Sequence, residues 1–149
     1  MPFAFLFMPV FLSANEITKE EANAFFERYV DLSNKFDESV VELYADDAII
    51  RATRIYPNAQ IKKMELDGIK WKSLVKQVMP LAKAKGDINK FSKIQIKTNG
   101  KRAKIKAARY SVIKCYTDKN YYMIVEKDKQ GIFRIIEEYM ETKPQSNCP

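Results

Sequence analysis

Apolar residues recur at helical spacing in three stretches of the first half of the chain. The stretch ITKEEANAFFERYVDLSNKF keeps its apolar residues on one helical face, and Thr18 and Glu21 have the spacing of a capping box at its start. The stretch DESVVELYADDA is typical of a second, shorter helix. The stretch DGIKWKSLVKQVMPLAKAKG has an apolar i, i+3, i+4, i+7 stripe that begins at Trp71. Pro80 should kink or end this helix, and Gly86 stops what remains of it. The pattern therefore predicts three helices.

The period of the apolar residues changes to two after Gly86. KFSKIQIKT and KRAKIKAARYSVIKCY flank Asn99-Gly100, a strong hairpin signal. NYYMIVEKD and GIFRIIEEYMETK each follow a turn, and IIRATRIYP is also extended. We therefore predict an α+β fold in which three N-terminal helices pack on a curved antiparallel sheet of four to six strands.

The composition limits the chemistry that the chain can perform. The 149 residues fit one domain and include no histidine. This absence excludes Ser-His-Asp and Cys-His catalysis and histidine-based metal sites, and two cysteines cannot form a four-thiolate site. We expect no metal and no cofactor, so acid–base chemistry would fall to Asp, Glu, Lys, Tyr or Cys.

The first residues, MPFAFLFMPVFLSANE, have no charge before Glu16. The apolar run is too short to span a bilayer, but it has the length of a signal-peptide core, and LSA before Asn15 suits cleavage. A basic start is missing, and a buried N-terminal strand or helix is the alternative. We expect a signal peptide at 1–14, a domain at 15–143, a tail at 144–149, no transmembrane span in the mature chain, and a periplasmic or secreted protein.

The two cysteines leave two alternatives open. In an oxidising compartment, Cys115 in a predicted strand and Cys148 in the tail could form a disulfide that fixes the tail. Otherwise Cys115 is a buried thiol and Cys148 is a free one.

Charge is unevenly distributed along the chain. Residues 15–60 have five basic and ten acidic residues, a net charge of −5, whereas residues 61–106 have fourteen basic and three acidic, a net charge of +11. This basic block fits either a solvated lysine face or a surface that docks on an anionic partner. Arginine is scarce in it and no nucleic-acid motif is present, so we do not expect nucleic-acid binding.

Three short motifs, ERYVDL, ELYADDAII and QGIFRIIEEYMET, occur in an order and spacing that resembles the nuclear transport factor 2-like superfamily. The resemblance covers residues 17–143 and includes the SnoaL-like and ketosteroid isomerase-like branches. It implies a cystatin-like cone in which helices and a concave sheet enclose an apolar pocket, and often a homodimer.

The resemblance also gives roles to single positions. In the isomerase branch, a base, a tyrosine donor and a neutral carboxylic acid surround the substrate. Tyr29 and Tyr44 match the two tyrosines of the branch. The base position matches Ala52 and the neutral acid falls near Met123, so two chemical groups are missing. The resemblance implies that Asp46 and Asp47 only form a polar helix terminus.

The last strand supplies the remaining candidate acid. Alternation puts one set of side chains on its concave face: Ile132, Arg134, Ile136, Glu138 and Met140. Arg109 could join Glu138 from a neighbouring strand. The opposite face carries Phe133, Ile135 and Tyr139, with Tyr122 and Ile124 beside them, and an apolar outer face of this kind predicts a homodimer interface.

We therefore expect an exported, non-catalytic domain whose cone-shaped pocket binds a small apolar ligand or a protein partner. The residues expected to line the pocket are Tyr29, Tyr44, Trp71, Arg109, Met123, Ile136, Glu138 and Met140. One alternative is a cofactor-independent isomerase, dehydratase or cyclase with Glu138 as base and Tyr29 as donor. A second alternative is a basic docking module for an anionic partner.

Overall fold

The computed structural model describes residues 16–149, so the predicted signal peptide at 1–14 lies outside the described residues. Helix α1 (Lys19–Asn34) starts at the predicted capping box. Thr18 Oγ1 accepts a hydrogen bond from the Glu21 amide at 3.1 Å, and Glu21 Oε1 accepts one from the Thr18 amide at 3.2 Å. Both bonds satisfy amides that the helix itself leaves without partners, which is why α1 starts there.

The second predicted helix is wrong over half of its length. Only Glu38–Leu43 is helical, as a 3-10 helix, and strand β1 (Tyr44–Ile55) follows at once. Asp46 and Asp47 therefore do not end a helix. They lie exposed in an irregular part of β1, where Asp46 accepts a hydrogen bond from Lys72 Nζ at 2.8 Å. A helical apolar period over so few residues is a weak signal, and pairing of β1 with two other strands overrides it.

Six strands form one sheet in the order β2-β1-β6-β5-β4-β3. The elements that follow β1 are β2 (Ile61–Asp67), α2 (Gly68–Lys85), β3 (Asn89–Asn99), β4 (Arg102–Ser111), β5 (Tyr116–Lys127) and β6 (Phe133–Thr142). The α+β class and the four-stranded meander β3–β6 are confirmed. The expected three N-terminal helices are wrong, because two α-helices and one 3-10 helix form and β1 and β2 precede α2. The pairing of β1 with β6 is parallel, so the sheet is mixed.

Both helices lie on the same face of the sheet and cover different parts of it. Helix α1 packs over β3 and β4, and Phe26 meets Phe91 edge to face with ring centroids 5.2 Å apart. Helix α2 packs over β1, and its first residue, Gly68, would place a Cβ atom only 1.9 Å from the Ala45 carbonyl oxygen. Only glycine permits this close approach, which fixes the start of α2 against β1. None of the helices in residues 16–149 is long and apolar enough to cross a membrane.

A β-bulge in β6 changes which side chains face the helices. Val125 of β5 pairs with Ile135, but Ile124 pairs with Glu137, so Ile136 is the extra residue. Ile135 is therefore buried in the core and Phe133 packs on Phe25 of α1, which corrects their expected outer position. Ile136 and Arg134 instead line a separate surface depression with Asp47, away from Glu138. The alternation assumed from the sequence fails because a bulge inserts one residue.

The C-terminal tail is attached to the turn between β4 and β5. Cys115 lies in this turn, not in a strand as expected, and it forms a disulfide with Cys148. The Asn147 amide donates to the Lys114 carbonyl at 2.8 Å, and Lys114 Nζ donates to the Lys143 carbonyl at 3.3 Å. The tail thus has both covalent and polar links to the turn between β4 and β5.

We expect the disulfide to contribute measurably to stability, because it closes a loop of 33 residues in the unfolded chain. The double variant Cys115→Ser/Cys148→Ser should lose about 2–4 kcal/mol of unfolding free energy in urea titrations. The wild-type protein in excess reductant is the matched comparison and should lose a similar amount. Equal stability of the oxidised wild type and the variant would contradict this expectation.

Candidate functional site

The carboxylate of Glu138 lies fully buried at the centre of the molecule and accepts hydrogen bonds from three tyrosines. Tyr44 donates to Oε1 at 2.6 Å, and Tyr29 donates to Oε2 at 3.0 Å. Tyr121 donates to the same Oε2. Glu138 itself is 0% exposed. We call these four residues the Glu138 cage.

Four separate elements bring the cage together. Tyr29 projects from α1 toward the sheet, and Tyr44 is the first residue of β1. Tyr121 and Glu138 point inward from the adjacent strands β5 and β6. Polar groups placed in a core must find partners there, because water cannot reach them. The cage meets this requirement by joining α1, β1, β5 and β6 at one point.

Burial dominates the electrostatics of the cage. It raises the pKa of Glu138 above its ordinary value of 4.5, although the hydrogen bonds from the tyrosines oppose this effect. Burial and the Glu138 charge together raise the pKa of Tyr29 well above its usual range, and the pKa values of Tyr44 and Tyr121 rise for the same reasons. The three tyrosines therefore remain protonated donors at any ordinary pH.

Arg109 lies near the cage but forms no hydrogen bond with Glu138. Its guanidinium carbon is 5.8 Å from the centroid of the Tyr121 ring, and Nη2 donates to the Glu141 carbonyl at 3.0 Å. Its Nε is 3.7 Å from a carboxylate oxygen of the buried Asp118. The positive charge of Arg109 opposes the rise in the pKa of Glu138. Arg109 is thus a long-range electrostatic partner of the cage.

Two concave spaces lie beside the cage, separated by Trp71. The first, called the inner cavity, has a volume of about 150 Å³ and is largely apolar. It lies between α1, α2 and the 3-10 helix, and these residues line it: Tyr29, Ser33, Asn34, Phe36, Val40, Tyr44, Trp71, Val75, Val78, Met79, Ala82, Asp87 and Asn89. A space this small is below the usual range of ligand sites, about 300–1,000 Å³.

The second space, called the groove, has a volume of about 510 Å³ and lies at the edge of the concave face that α2 leaves uncovered. Its lining residues are Ala52, Arg54, Lys62, Lys63, Met64, Trp71, Met140 and Thr142. The volume falls within the range of small-molecule sites. The floor is apolar, whereas the rim is basic.

Trp71 forms the wall that both spaces share. Its ring meets the Tyr44 ring edge to face with centroids 6.4 Å apart, which connects it to the cage. Its buried Nε1 has no hydrogen-bond partner among residues 16–149. Trp71 is also the only tryptophan of the chain, so its fluorescence reports on both spaces.

The structure separates the expected pocket residues into four groups. Tyr29, Tyr44 and Trp71 line the inner cavity, and Trp71 and Met140 line the groove. Glu138 is enclosed by the cage, and Met123 is fully buried beside it and lines neither space. Arg109 also lines neither space, and the bulge places Ile136 at the separate depression with Asp47.

Tyr121 is the one cage residue that is absent from the residues expected at the pocket. Alternation along NYYMIVEKD places Tyr121 on the same face as Met123, and this pattern indicates that it faces the interior. In the register of β5 and β6, Met123 lies directly opposite Glu138. The carboxyl group of Glu138 therefore lies on the strand next to Met123, the position where the family resemblance places the neutral acid.

The lysines of the basic block do not share one face. Lys62 lines the groove, Lys104 lies over the Tyr122 ring on the outer face of the sheet, and Lys72 on α2 pairs with Asp46. This distribution removes the support for a single docking surface built from the whole block. No group of three or more Cys, Asp or Glu side chains suited to a metal ion occurs in residues 16–149.

Comparison with known proteins gives structural similarity without close sequence similarity. No family model matches the chain, and no curated protein matches it. A nuclear transport factor 2-like protein of unknown function from Pseudomonas putida has a TM-score of 0.64 and 13% identity, over 83% of this chain and 84% of that one. One from Cytophaga hutchinsonii has a TM-score of 0.59 and 9% identity, over 85% and 99%.

A candidate ketosteroid isomerase from Shewanella frigidimarina is also similar, with a TM-score of 0.55 and 13% identity over 80% of this chain and 93% of that one. Identities this low establish the fold alone. The expected likeness to this cone-shaped fold is confirmed at that level.

The raised pKa of Glu138 predicts a pH dependence of stability. The folded state holds this proton more tightly than the unfolded state, so protonation stabilises the fold. The contribution is fully present below pH 4.5, the ordinary value, and is lost as the pH rises through the raised value. Relative to Glu138→Gln, which has nearly the same volume and does not titrate, wild-type unfolding free energy should therefore fall with increasing pH. Urea titrations between about pH 4 and about pH 8 test this, and parallel curves would contradict it.

Proposed function

Because the chain has the nuclear transport factor 2-like fold, we propose that it is an exported, non-catalytic domain that binds a small, mainly apolar ligand in the groove. The observation that carries the proposal is the groove itself, an open space of about 510 Å³ whose floor is formed by Ala52, Met64 and Met140 against the Trp71 ring. When a ligand covers apolar side chains that face water, the burial of their surface makes binding favourable.

The position of Ala52 favours binding over catalysis. Ala52 matches the base of the isomerase branch, and its methyl group lines the groove where a carboxylate would be needed. Without a positioned general base, a rate enhancement of about 10²–10⁴ is lost. A ligand in the groove therefore meets an apolar surface at this point and no proton acceptor.

An isomerase, dehydratase or cyclase is the second candidate, and the 3.0 Å hydrogen bond between Tyr29 and Glu138 favours it. This pair has the donor and acid that such a site requires. However, both oxygens of Glu138 already accept hydrogen bonds from tyrosines, and Glu138 lines neither the inner cavity nor the groove. A base in this environment has no access to a substrate proton, so we prefer the binding function.

The disulfide supports the exported location. Protein disulfides persist mainly in oxidising compartments, and Cys115 and Cys148 are paired. A periplasmic or secreted protein is consistent with this pairing and with the apolar N-terminal run.

We predict that the neutral fluorophore N-phenyl-1-naphthylamine binds in the groove and quenches the fluorescence of Trp71 in a saturable manner. Ala52→Leu should weaken this binding roughly tenfold or more, because the larger side chain occupies the groove floor. Fluorescence titration measures both affinities, and thermal unfolding verifies that the variant is folded.

The matched control is Ala84→Leu, which makes the same change at an exposed position of α2. It should bind the fluorophore as the wild type does. A wild type without saturable quenching, or equal affinities of the two variants, would contradict binding in the groove.

We also propose that the domain forms a homodimer through the outer face of the sheet. Tyr122 and Tyr139 stack there with ring centroids 5.7 Å apart, and the cation of Lys104 lies 4.3 Å from the centroid of the Tyr122 ring. Beside these rings, Arg51 Nη1 and Glu137 Oε1 form an ion pair at 3.1 Å, so the surface carries charges of both signs. Aromatic side chains surrounded by both charges suit a surface that pairs with its own copy.

Light scattering at micromolar concentration should give the mass of a dimer for the wild type. Tyr122→Glu should give the mass of a monomer, because it places a like charge beside Glu137 in both copies of the interface. Leu81→Glu, at an exposed position of α2, is the control and should leave the dimer intact. A monomeric wild type would exclude this interface.

A further inference from the structure

The groove has a polarity that changes in one direction along the strands. Strands β2, β1 and β6 lie side by side, and their registers align residues in rows across the three strands. Lys62, Arg54 and Thr142 form one such row, called the cationic row. The next row on the same face is Met64, Ala52 and Met140, called the apolar row. The two rows are two positions apart along each strand, a distance of roughly 7 Å.

The cationic row contains an unfavourable arrangement. Arg54 and Lys62 are direct cross-strand partners in the antiparallel pairing of β1 and β2. Like charges placed opposite each other on one sheet face destabilise the pairing. Neither side chain forms an ion pair within residues 16–149, and no acidic residue lines the groove. An anion between them would relieve the repulsion.

On the opposite face of the same two strands, a cation does have acidic partners. Arg51 on the outer face lies opposite Glu65 and binds it at 3.2 Å, and it also binds Glu137 at 3.1 Å. The same two strands therefore compensate a cation on their outer face and leave two cations uncompensated on the groove face. Lys63, which pairs with Thr53 and also lines the groove, has no ion pair within residues 16–149 either, so the rim carries a third unmatched cation beside the apolar floor.

From these two rows we infer that the ligand of the groove is an amphiphile with an anionic head group and a short apolar tail. The head group lies between Arg54 and Lys62, where Thr142 offers a further hydroxyl donor. The tail covers the apolar row and contacts the Trp71 ring. This inference rests on the proposed function, because it assigns a chemical class to the ligand of the same groove.

Three compounds with a linear alkyl tail of about seven or eight carbons and a head group of different charge test the inference: octanoate, 1-octanol and octyltrimethylammonium. The full mature chain is titrated with each below the critical micelle concentration, with Trp71 fluorescence as the readout. Octanoate should bind at least about tenfold more tightly than octanol, because charge-assisted hydrogen bonds favour it. Octyltrimethylammonium should bind more weakly than octanol. The preference for octanoate should decrease as sodium chloride is added.

The double variant Arg54→Gln/Lys62→Gln should lose the preference for octanoate and retain the affinity for octanol. It should also be no less stable than the wild type, since it removes a repulsion. The control Lys70→Gln/Lys76→Gln changes the net charge equally at exposed positions of α2 and should keep the preference. Equal binding of octanoate and octanol by the wild type, or a preference that survives in the groove variant, would overturn the inference.

Two further outcomes distinguish this inference from the proposed function. If the neutral fluorophore binds but octanoate does not, the groove binds apolar molecules and the anionic head group is wrong. If neither binds, the proposed function fails and the inference fails with it. Retention of the protein on phosphatidylglycerol vesicles through Arg54 and Lys62, without an octanoate preference, would also overturn the inference, because the cations would then face a membrane surface.

Discussion

The buried carboxylate of Glu138 is the constraint on which the arrangement of the whole chain depends. A carboxylate without water needs several hydrogen-bond donors, and here Tyr29, Tyr44 and Tyr121 supply them from three different elements. Each donor has a position that is fixed by the need to reach the same two oxygens. The cage thereby determines how α1, the start of β1 and the central strands β5 and β6 meet. An apolar core of the same volume would pack as well but would specify this meeting point less strictly, because dispersion has little directionality.

The enclosure of Glu138 separates the cage from the groove. An acid that is to exchange protons with a ligand must face a space that the ligand can enter. Each oxygen of Glu138 accepts at least one hydrogen bond from a tyrosine, and the side chain opens into neither concave space. The groove begins one row further along the sheet, at Ala52 and Met140. Glu138 and the three tyrosines thus connect elements of the fold, and the groove lies beside them.

The sequence predicts those parts of the structure whose interacting residues are close together in the chain. The start of α1 was predictable because Thr18 and Glu21 satisfy each other within one turn, and the hairpin at Asn99-Gly100 was predictable for a similar reason. Strand β2 is absent from the prediction because it is an edge strand in which every residue except Leu66 is exposed, so the sequence shows no alternation of buried and exposed residues. The bulge at Ile136 could not be read from β6 alone, since it exists only in relation to β5. Glu138 was identified through alternation with Met140, on the part of the strand beyond the bulge, whereas its three partners come from distant parts of the chain.

The rows that cross β2, β1 and β6 connect the fold to the proposed ligand. Beyond the cationic row and the apolar row, the next row on this face is Leu66, Ile50 and Glu138. Polarity along the strands therefore changes from exposed cations, through apolar side chains open to the groove, to a carboxylate that the cage encloses. Because strand pairing fixes these rows, the backbone positions that carry the cations lie at a set spacing from the apolar row, and the side chains of Arg54 and Lys62 extend from those positions. A ligand that matches the groove must have the same order of polarity over the same distance, and an anionic head group joined to a short apolar tail has it.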